Sequence, residues 1–356
     1  MCYAPAQIYT NFLAVLVTRR SNPWAGGNMF GVPSGKTPEV IGFFMIPSFS
    51  MIAFASAIEP LRLANRLSEK ALYEWVLISR DGAPVTASNG ISVNPHFSMA
   101  DFDSGMSKRD IPTLILVSGV GAEVYSDPDT FGWLRRLDRQ GADIGALCTG
   151  AHVLARAGLL EGKVCTLHWE NIPSFRETYP DIEVTDDLFE IDGNRFTCSG
   201  GTAALDLMLH LIRTEHDEDL ATRVSEECIL DRVRGGQDHQ RMPLAVRLGV
   251  DNRKLIDSIH MMETHLEEPL SQEALAAAVG ISRRQLERLF QRHVGRPPNR
   301  YYMQLRLDRA RKLLLQTDMA IVDVAMACGF VSASHFAKCY RQFYGVTPRQ
   351  ARVNGV

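Results

Sequence analysis

The sequence has few cysteines, and none is placed for chemistry that needs a pair. Cys2, Cys148, Cys165, Cys198, Cys228, Cys328 and Cys339 are odd in number, widely scattered and never in a C-x-x-C arrangement. Neither a disulfide framework nor a zinc site is indicated, and a reducing compartment is expected. Long apolar runs are missing as well. None approaches the roughly 18 to 20 residues that span a bilayer, and the N-terminus lacks the uninterrupted apolar stretch and cleavage pattern of a secretory signal. The chain is therefore expected in the cytoplasm, away from membranes, with no metal and no cofactor. Its 46% hydrophobic and 22% charged residues are ordinary for a globular chain and favour neither a disordered nor a fibrous class.

A length of 356 residues suggests two domains, each able to bury its own core. Charge divides the chain in the same sense. Residues 251–356 carry 16 Lys+Arg against 10 Asp+Glu although the whole chain is at −3, so the tail is basic and the body acidic. That asymmetry suits a polyanion-binding tail. Residues 1–38 have no sustained period and contain Ser21-Asn22-Pro23-Trp24-Ala25-Gly26-Gly27 and Pro33-Ser34-Gly35-Lys36, which reads as a flexible leader. Met29 offers an alternative translation start.

From residue 40 short apolar runs alternate with helical periods. Strands are expected at Val40–Ile46, Trp75–Ser79, Thr113–Val117, Asp143–Leu147, Leu188–Ile191 and Arg195–Cys198. Helices are expected at Met51–Leu67, Asp129–Arg139, Thr149–Ala157, Leu205–Ile212 and Leu220–Val233. The alternation predicts an α/β domain with a parallel sheet over residues 39–235, followed by a polar linker over 236–250 and a separate domain over 251–356.

Within the first domain, Ile144-Gly145-Ala146-Leu147-Cys148-Thr149-Gly150-Ala151 places a nucleophile type between an apolar strand and a helix, with small neighbours that allow a sharp turn. The helix N-terminus favours a thiolate there. A small buried residue at a tight turn is the other reading. Gly119 and Gly121 after Leu114-Ile115-Leu116-Val117, the Cys148 elbow, and Gly162-Lys163-Val164-Cys165-Thr166-Leu167-His168-Trp169 together resemble the glutamine-amidotransferase-like DJ-1/PfpI superfamily over roughly residues 40–230. The resemblance implies a flavodoxin-like sandwich. It also implies an acidic residue on the first helix that bonds the elbow cysteine, for which Glu59 stands in the matching place, and a histidine near the thiol, here His168. Such a group could serve as a nucleophile with backbone donors near Gly119 or Thr149, or could line a ligand pocket. Ser50, Phe54 and Trp169 are the further pocket candidates. Aromatic faces near a carboxylate suit a cationic nitrogen compound, and regulators with such a domain commonly sense betaine, carnitine or amino acids, so the resemblance implies a ligand of that class.

The basic tail is more specific. Ser271-Gln272-Glu273-Ala274-Leu275-Ala276-Ala277-Ala278-Val279-Gly280-Ile281-Ser282 reads as a capped helix, a glycine turn, an apolar anchor and a second cap, which is helix-turn-helix grammar. The next helix carries Arg283, Arg284, Arg288 and Arg292, with Leu286, Leu289 and Phe290 facing inward. The grammar repeats at Ile321-Val322-Asp323-Val324-Ala325-Met326-Ala327-Cys328-Gly329-Phe330-Val331-Ser332, with Gly329 lying 49 residues after Gly280. A helix over Asn299–Leu315 is placed to hold the two units one DNA turn, roughly 34 Å, apart.

The segments Leu305-Arg306-Leu307-Asp308-Arg309-Ala310-Arg311, Ala327-Cys328-Gly329-Phe330, Ser334-His335-Phe336 and Phe343-Tyr344-Gly345-Val346-Thr347-Pro348 resemble the AraC/XylS family over about residues 252–352. Joined to the first resemblance, this is the GlxA-type group, and it implies an all-α C-terminal domain of two helix-turn-helix units. Arg283, Arg284, Glu287 and Arg288 in the first recognition helix, and Ala333, Ser334, His335 and Lys338 in the second, are the expected DNA-facing residues. Short Ala333 and Ser334 predict weaker discrimination by the second helix. The reading that fits both halves is a transcription factor, expected to be an activator, with double-stranded DNA, a small-molecule effector and RNA polymerase as partners and a homodimer formed through the N-terminal domain. Catalytic residues are not expected. The alternatives are a cysteine-dependent amidase or hydrolase fused to a DNA-binding module, and a DNA-bound scaffold whose first domain only dimerises.

Overall fold

A computed structural model describes residues 38–103 and 111–354, so the leader, Pro38 apart, and the alternative start at Met29 lie outside the described residues. In chain order the first body runs β1 (Glu39–Met45), α1 (Met51–Ser68), β2 (Tyr73–Ser79), β3 (Val85–Thr86), β4 (Ser92–Val93), β5 (Phe97–Ser98), α2 (Met99–Asp103), β6 (Thr113–Val117), α3 (Pro128–Arg139), β7 (Asp143–Leu147), α4 (Ala151–Arg156), β8 (Val164–Thr166), α5 (Ile172–Thr178), β9 (Glu183–Thr185), β10 (Phe189–Asp192), β11 (Arg195–Cys198), α6 (Ala203–Glu215) and α7 (Glu218–Glu227). Seven strands form one sheet in the order β10-β11-β7-β6-β1-β2-β5. Every pairing in it is parallel except β10 with β11.

The central strands explain the architecture. All five residues of β6 and all five of β7 are buried, as strands covered on both faces must be. One face packs Phe43, Ile115 and Leu147 against Leu61 of α1 and Leu207 of α6. The other packs Phe44, Leu116 and Ile144 against Trp133 of α3, Leu154 of α4 and Phe175 of α5. The helix expected over Leu220–Val233 stops at Glu227, because Cys228 caps it and Ile229 takes a left-handed φ of 55°. The two-stranded ribbons β3–β4 and β8–β9 are too short to show any alternation in sequence.

The second body comprises α8 (Leu244–Leu248), α9 (Arg253–Thr264), α10 (Gln272–Ala278), α11 (Arg283–His293), α12 (Pro298–Gln316), α13 (Ile321–Ala327), α14 (Ala333–Tyr344) and α15 (Pro348–Asn354). It has two small cores, one around Leu255, Leu275, Leu286 and Phe290 and the other around Leu313, Val324, Phe336 and Tyr340. The expected caps form: Ser271, Ser282 and Ser332 accept from the backbone N–H three residues on, and Ser282 makes a reciprocal capping box with Gln285. The segment expected as a linker is bonded into both bodies. The carbonyl of Gly236 accepts from Leu188 N at 2.8 Å, and Gln240 Nε2 lies within 3.1 Å of Thr166 Oγ1, Leu167 O and Asp187 O. Leu244, Leu248 and Val250 pack into the first small core of the second body. The bodies also touch directly where α5 meets α12, through Arg309 to Glu177 at 3.0 Å and Ser174 Oγ to Gln316 Oε1 at 2.7 Å.

Candidate functional site

The elbow forms as expected. Cys148 follows the last residue of β7 with φ 61°, a left-handed conformation that costs a non-glycine residue about 1 to 2 kcal/mol. Bare backbone at Gly200 leaves room for it, and bare backbone at Gly119 lets the neighbouring turns close up. A Cβ on Gly200 would stand 2.7 Å from that of Cys148, and one on Gly119 would stand 2.4 Å from the Ser48 carbonyl. Thus the turns after β1, β6, β7 and β11 converge at the carboxyl ends of the strands, where open α/β sheets place their ligand sites. Ser50 N donates to Ser118 O at 3.1 Å, Ser118 Oγ lies 3.2 Å from Thr149 Oγ1, and the Thr149 hydroxyl donates to Gly119 O at 2.5 Å. The His168 N–H donates to the Cys148 carbonyl at 3.0 Å.

The electrostatics correct one expectation. Burial pushes the Cys148 thiol up to about 11, against the weaker pull of the Thr149 backbone N–H and hydroxyl. Burial likewise depresses His168. Both groups are neutral near pH 7, so no thiolate–imidazolium pair forms, and no hydrogen bond joins the thiol to the imidazole ring. Thr149 N–H, a candidate oxyanion donor, bonds the thiol, and Val120 N–H bonds the Ser48 carbonyl. What remains is an elbow mouth of half-buried Cys148, His168 and Ser50, backed by Ser118 and Thr149, which are buried and bonded to one another, with the Glu170 carboxylate 4.0 Å from His168 Nδ1.

Three expected pocket residues lie elsewhere. Glu59 sits nine residues beyond the Ser50 cap, about 13 Å along the helix, where its half-exposed carboxylate accepts from Arg62 at 2.7 Å. It makes no bond to Cys148. Phe54 is buried edge-on against Phe43 and Phe49, with centroids at 5.7 and 5.9 Å, and belongs to the core. The Trp169 ring faces the second body: Arg241 Cζ and Lys312 Nζ each lie 4.5 Å from its centroid. The cation expected over this indole is thus supplied by the chain itself. Arg241 and Lys312 were not anticipated, since 71 residues separate them and only the packing of α5 on α12 brings them together.

On the second body, α11 buries Leu286 and Phe290 and exposes Arg284 and Arg288. Neither arginine has an ion pair or hydrogen bond among the described residues. Arg283 differs: it donates to Glu273 at 2.7 Å and to Glu287 at 3.1 Å, so both Arg283 and Glu287 are held within the domain. On α14, Ser334, His335 and Lys338 are exposed and Ala333 is half-buried at the first turn. His335 packs on Phe330 with centroids 5.8 Å apart and lies 3.4 Å from Cys339 Sγ. Arg341, three residues after Lys338 on the same exposed face, was not singled out, although the helical period points to it.

Residues 50–214 match the DJ-1/PfpI family, and residues 275–354 match a helix-turn-helix domain family. The HTH-type transcriptional regulator GbdR of Pseudomonas aeruginosa is 46% identical over 321 residues, covering 90% of this chain and 86% of the relative. CdhR, another HTH-type transcriptional regulator of that organism, is 48% identical over 310 residues, covering 87% of this chain and 90% of the relative. The HTH-type transcriptional regulator GlxA of Rhizobium meliloti is 36% identical over 313 residues, covering 88% and 95%.

Proposed function

The chain belongs to the family of transcription regulators that join a DJ-1/PfpI domain to an AraC-type helix-turn-helix domain, and we propose that it is a cytoplasmic activator whose DNA binding answers to a small nitrogen-containing metabolite. The metabolite, of the betaine, carnitine or amino-acid class, binds at the elbow mouth of the N-terminal domain, touching Cys148, His168 and Ser50. Arg284 and Arg288 of α11, with Ser334 and Lys338 of α14, face double-stranded DNA. A homodimer formed through the N-terminal domains sets two such modules on neighbouring half-sites, where they engage RNA polymerase. Among the described residues no helix is long and apolar enough to cross a membrane.

The observation that carries the coupling is the continuity from elbow to DNA-binding body. His168 bonds the Cys148 carbonyl, and its neighbour Trp169 is held by Arg241 of the connecting segment and Lys312 of α12. A guest that moves His168 therefore shifts the contact on α12, and it acts only by its differential affinity for the two arrangements. The hydrolase alternative has less support, because its nucleophile would be a thiol pushed up to about 11.

The test is thermal unfolding of the full chain against betaines, carnitine, amino acids, polyamines and short amides, followed by binding to recovered operator DNA. A ligand at a hundredfold excess over Kd stabilises the fold by about 2.7 kcal/mol. A hit that also changes DNA affinity, footprint or transcription supports the reading. A hit that leaves all three unchanged overturns it.

A further inference from the structure

A cleft of about 730 Å³ lies between the two bodies, large enough for a small organic molecule. Arg241 of the connecting segment and Arg311 and Lys312 of α12 line it. Their partners are rings: Arg241 and Lys312 sit 4.5 Å from the Trp169 centroid, and Arg311 sits 5.2 Å from that of Tyr344. A ring face answers part of a cation's charge but leaves its N–H donors without acceptors. Among the described residues none of the three gives a hydrogen bond to a protein acceptor, and the shortest ion-pair contact any of them makes is Arg241 to Glu263 at 4.0 Å, beyond hydrogen-bond reach.

Of the other charged groups around the cleft, all but Glu170 are engaged within the protein. Arg309 pairs with Glu177 at 3.0 Å, Arg176 donates to Val184 O at 3.0 Å, and Asp308 accepts from the Tyr344 hydroxyl at 2.5 Å. Glu263 lies 3.4 Å from Arg247. Burial pushes the Lys312 ammonium down from its ordinary value, and Arg241 adds to that while Glu170 and Asp308 oppose it. Three cations with unmet donors thus converge on one cavity with a single unengaged carboxylate among them.

We propose that this interdomain cleft binds a small, multiply charged oxyanion, a di- or tricarboxylate or a phosphate ester, whose oxygens accept from Arg241, Arg311 and Lys312. The donors belong to the connecting segment and to α12, whereas the indole beneath them belongs to the sensor domain, so the anion fixes the two bodies in the arrangement seen here. The backbone phosphates of bound DNA carry like oxygens and are the competing assignment for these cations. The site is separate from the elbow mouth and does not depend on the nitrogen-metabolite reading.

The test uses the full chain at constant ionic strength, with citrate and inorganic phosphate as probes and chloride as the control. Thermal unfolding and tryptophan fluorescence are followed for the wild type, for Arg311→Gln/Lys312→Gln, and for the charge-keeping Arg311→Lys/Lys312→Arg. The expected result is a saturable response to at least one probe, at least tenfold weaker in the glutamine variant and retained in the charge-keeping one. An equal response in the glutamine variant, an equal response to chloride, or no saturable response in the wild type overturns the proposal. Displacement of the probe by a short duplex also overturns it, assigning these cations to DNA. The nitrogen-metabolite panel run on the glutamine variant keeps the two readings apart, since a response there leaves the elbow site standing when the cleft fails.

Discussion

Gly280 and Gly329 occupy the same position in the two helix-turn-helix units, with φ of 65° and 71°, yet replacing them with alanine is expected to have unequal effects. Each substitution forces a Cβ into the left-handed region, at about 1 to 2 kcal/mol. At Gly280 that is the whole effect, since a Cβ there meets nothing within 4 Å. At Gly329 it stands 2.7 Å from the Leu266 carbonyl, 2.7 Å from Pro269 Cγ and 2.8 Å from the Glu267 carbonyl. Two of those atoms are backbone and the third belongs to a proline ring, so the turn must withdraw from the 266–269 segment, adding about 1 to 3 kcal/mol of overpacking. Withdrawal also strains the bonds from Arg306 to the Cys328 and Gly329 carbonyls at 2.7 and 2.5 Å. Gly329→Ala should therefore lose about 2 to 5 kcal/mol against about 1 to 2 for Gly280→Ala. Urea unfolding followed by far-ultraviolet circular dichroism compares the midpoints, and the common φ contribution cancels in the difference. Equal midpoints for the two variants would refute the view that the second unit is seated on the first through Gly329.

Arg284→Ala or Arg288→Ala should weaken operator binding by about 1 to 3 kcal/mol if the lost contact reads a base, or lower the salt slope by about one if it neutralises a phosphate. Arg283→Ala should do less, because its guanidinium is already held by Glu273 and Glu287; an equal loss in a salt-series titration would contradict that assignment. A thiol pushed up to about 11 from an ordinary 9.0 should react with iodoacetamide at pH 7 about a hundredfold more slowly than an unperturbed cysteine, since only the thiolate attacks. Rapid labelling of the Cys148 peptide by mass spectrometry would show the elbow to be activated. At the opposite end of the sheet, burial and the charge of Glu39 push Glu215 up to about 8, and the Tyr73 hydroxyl donates to it at 3.0 Å. A carboxyl raised from 4.5 to about 8 stabilises the fold fully below the lower value, loses that stability as pH rises from there to about 8, and contributes no further slope above it; the loss runs at up to about 1.4 kcal/mol per pH unit. Glu215→Gln should flatten the decline between about pH 5 and 8, and parallel pH curves for the two proteins would count against this cause.

The sheet was readable because its central strands carry their burial in the sequence: Thr113–Val117 and Asp143–Leu147 are uninterrupted and lie where they were expected. The elbow and the two helix-turn-helix units were readable because glycines, caps and anchors act locally. The pocket residues depended on something else. Glu59 and Phe54 share a helix with Ser50, but which face each occupies is decided by Phe43, Phe49 and Arg62 around them. Trp169 sits beside His168 in sequence, yet its ring turns toward Lys312, 143 residues later. A chain position fixes a residue's neighbours along an element, whereas a site is defined by what meets it from other elements, and no local pattern encodes that.

The 19 residues of α12, about 28 Å of helix, show how such non-local contacts can govern regulation. Toward the first unit, Tyr302 gives its hydroxyl proton to the His265 carbonyl and accepts from Leu270 N at 3.2 Å. Toward the second unit, Arg306 holds the Cys328 and Gly329 carbonyls and stacks 4.1 Å over Phe330. Toward the sensor, Arg309 and Gln316 hold Glu177 and Ser174. The helix that sets the separation of the two recognition helices is therefore also the helix that the sensor holds. All three joints are made by part-buried polar groups, so α12 ties the N-terminal domain to both helix-turn-helix units at once. On the proposed reading, a guest at the elbow therefore acts on the pair of recognition helices through α12.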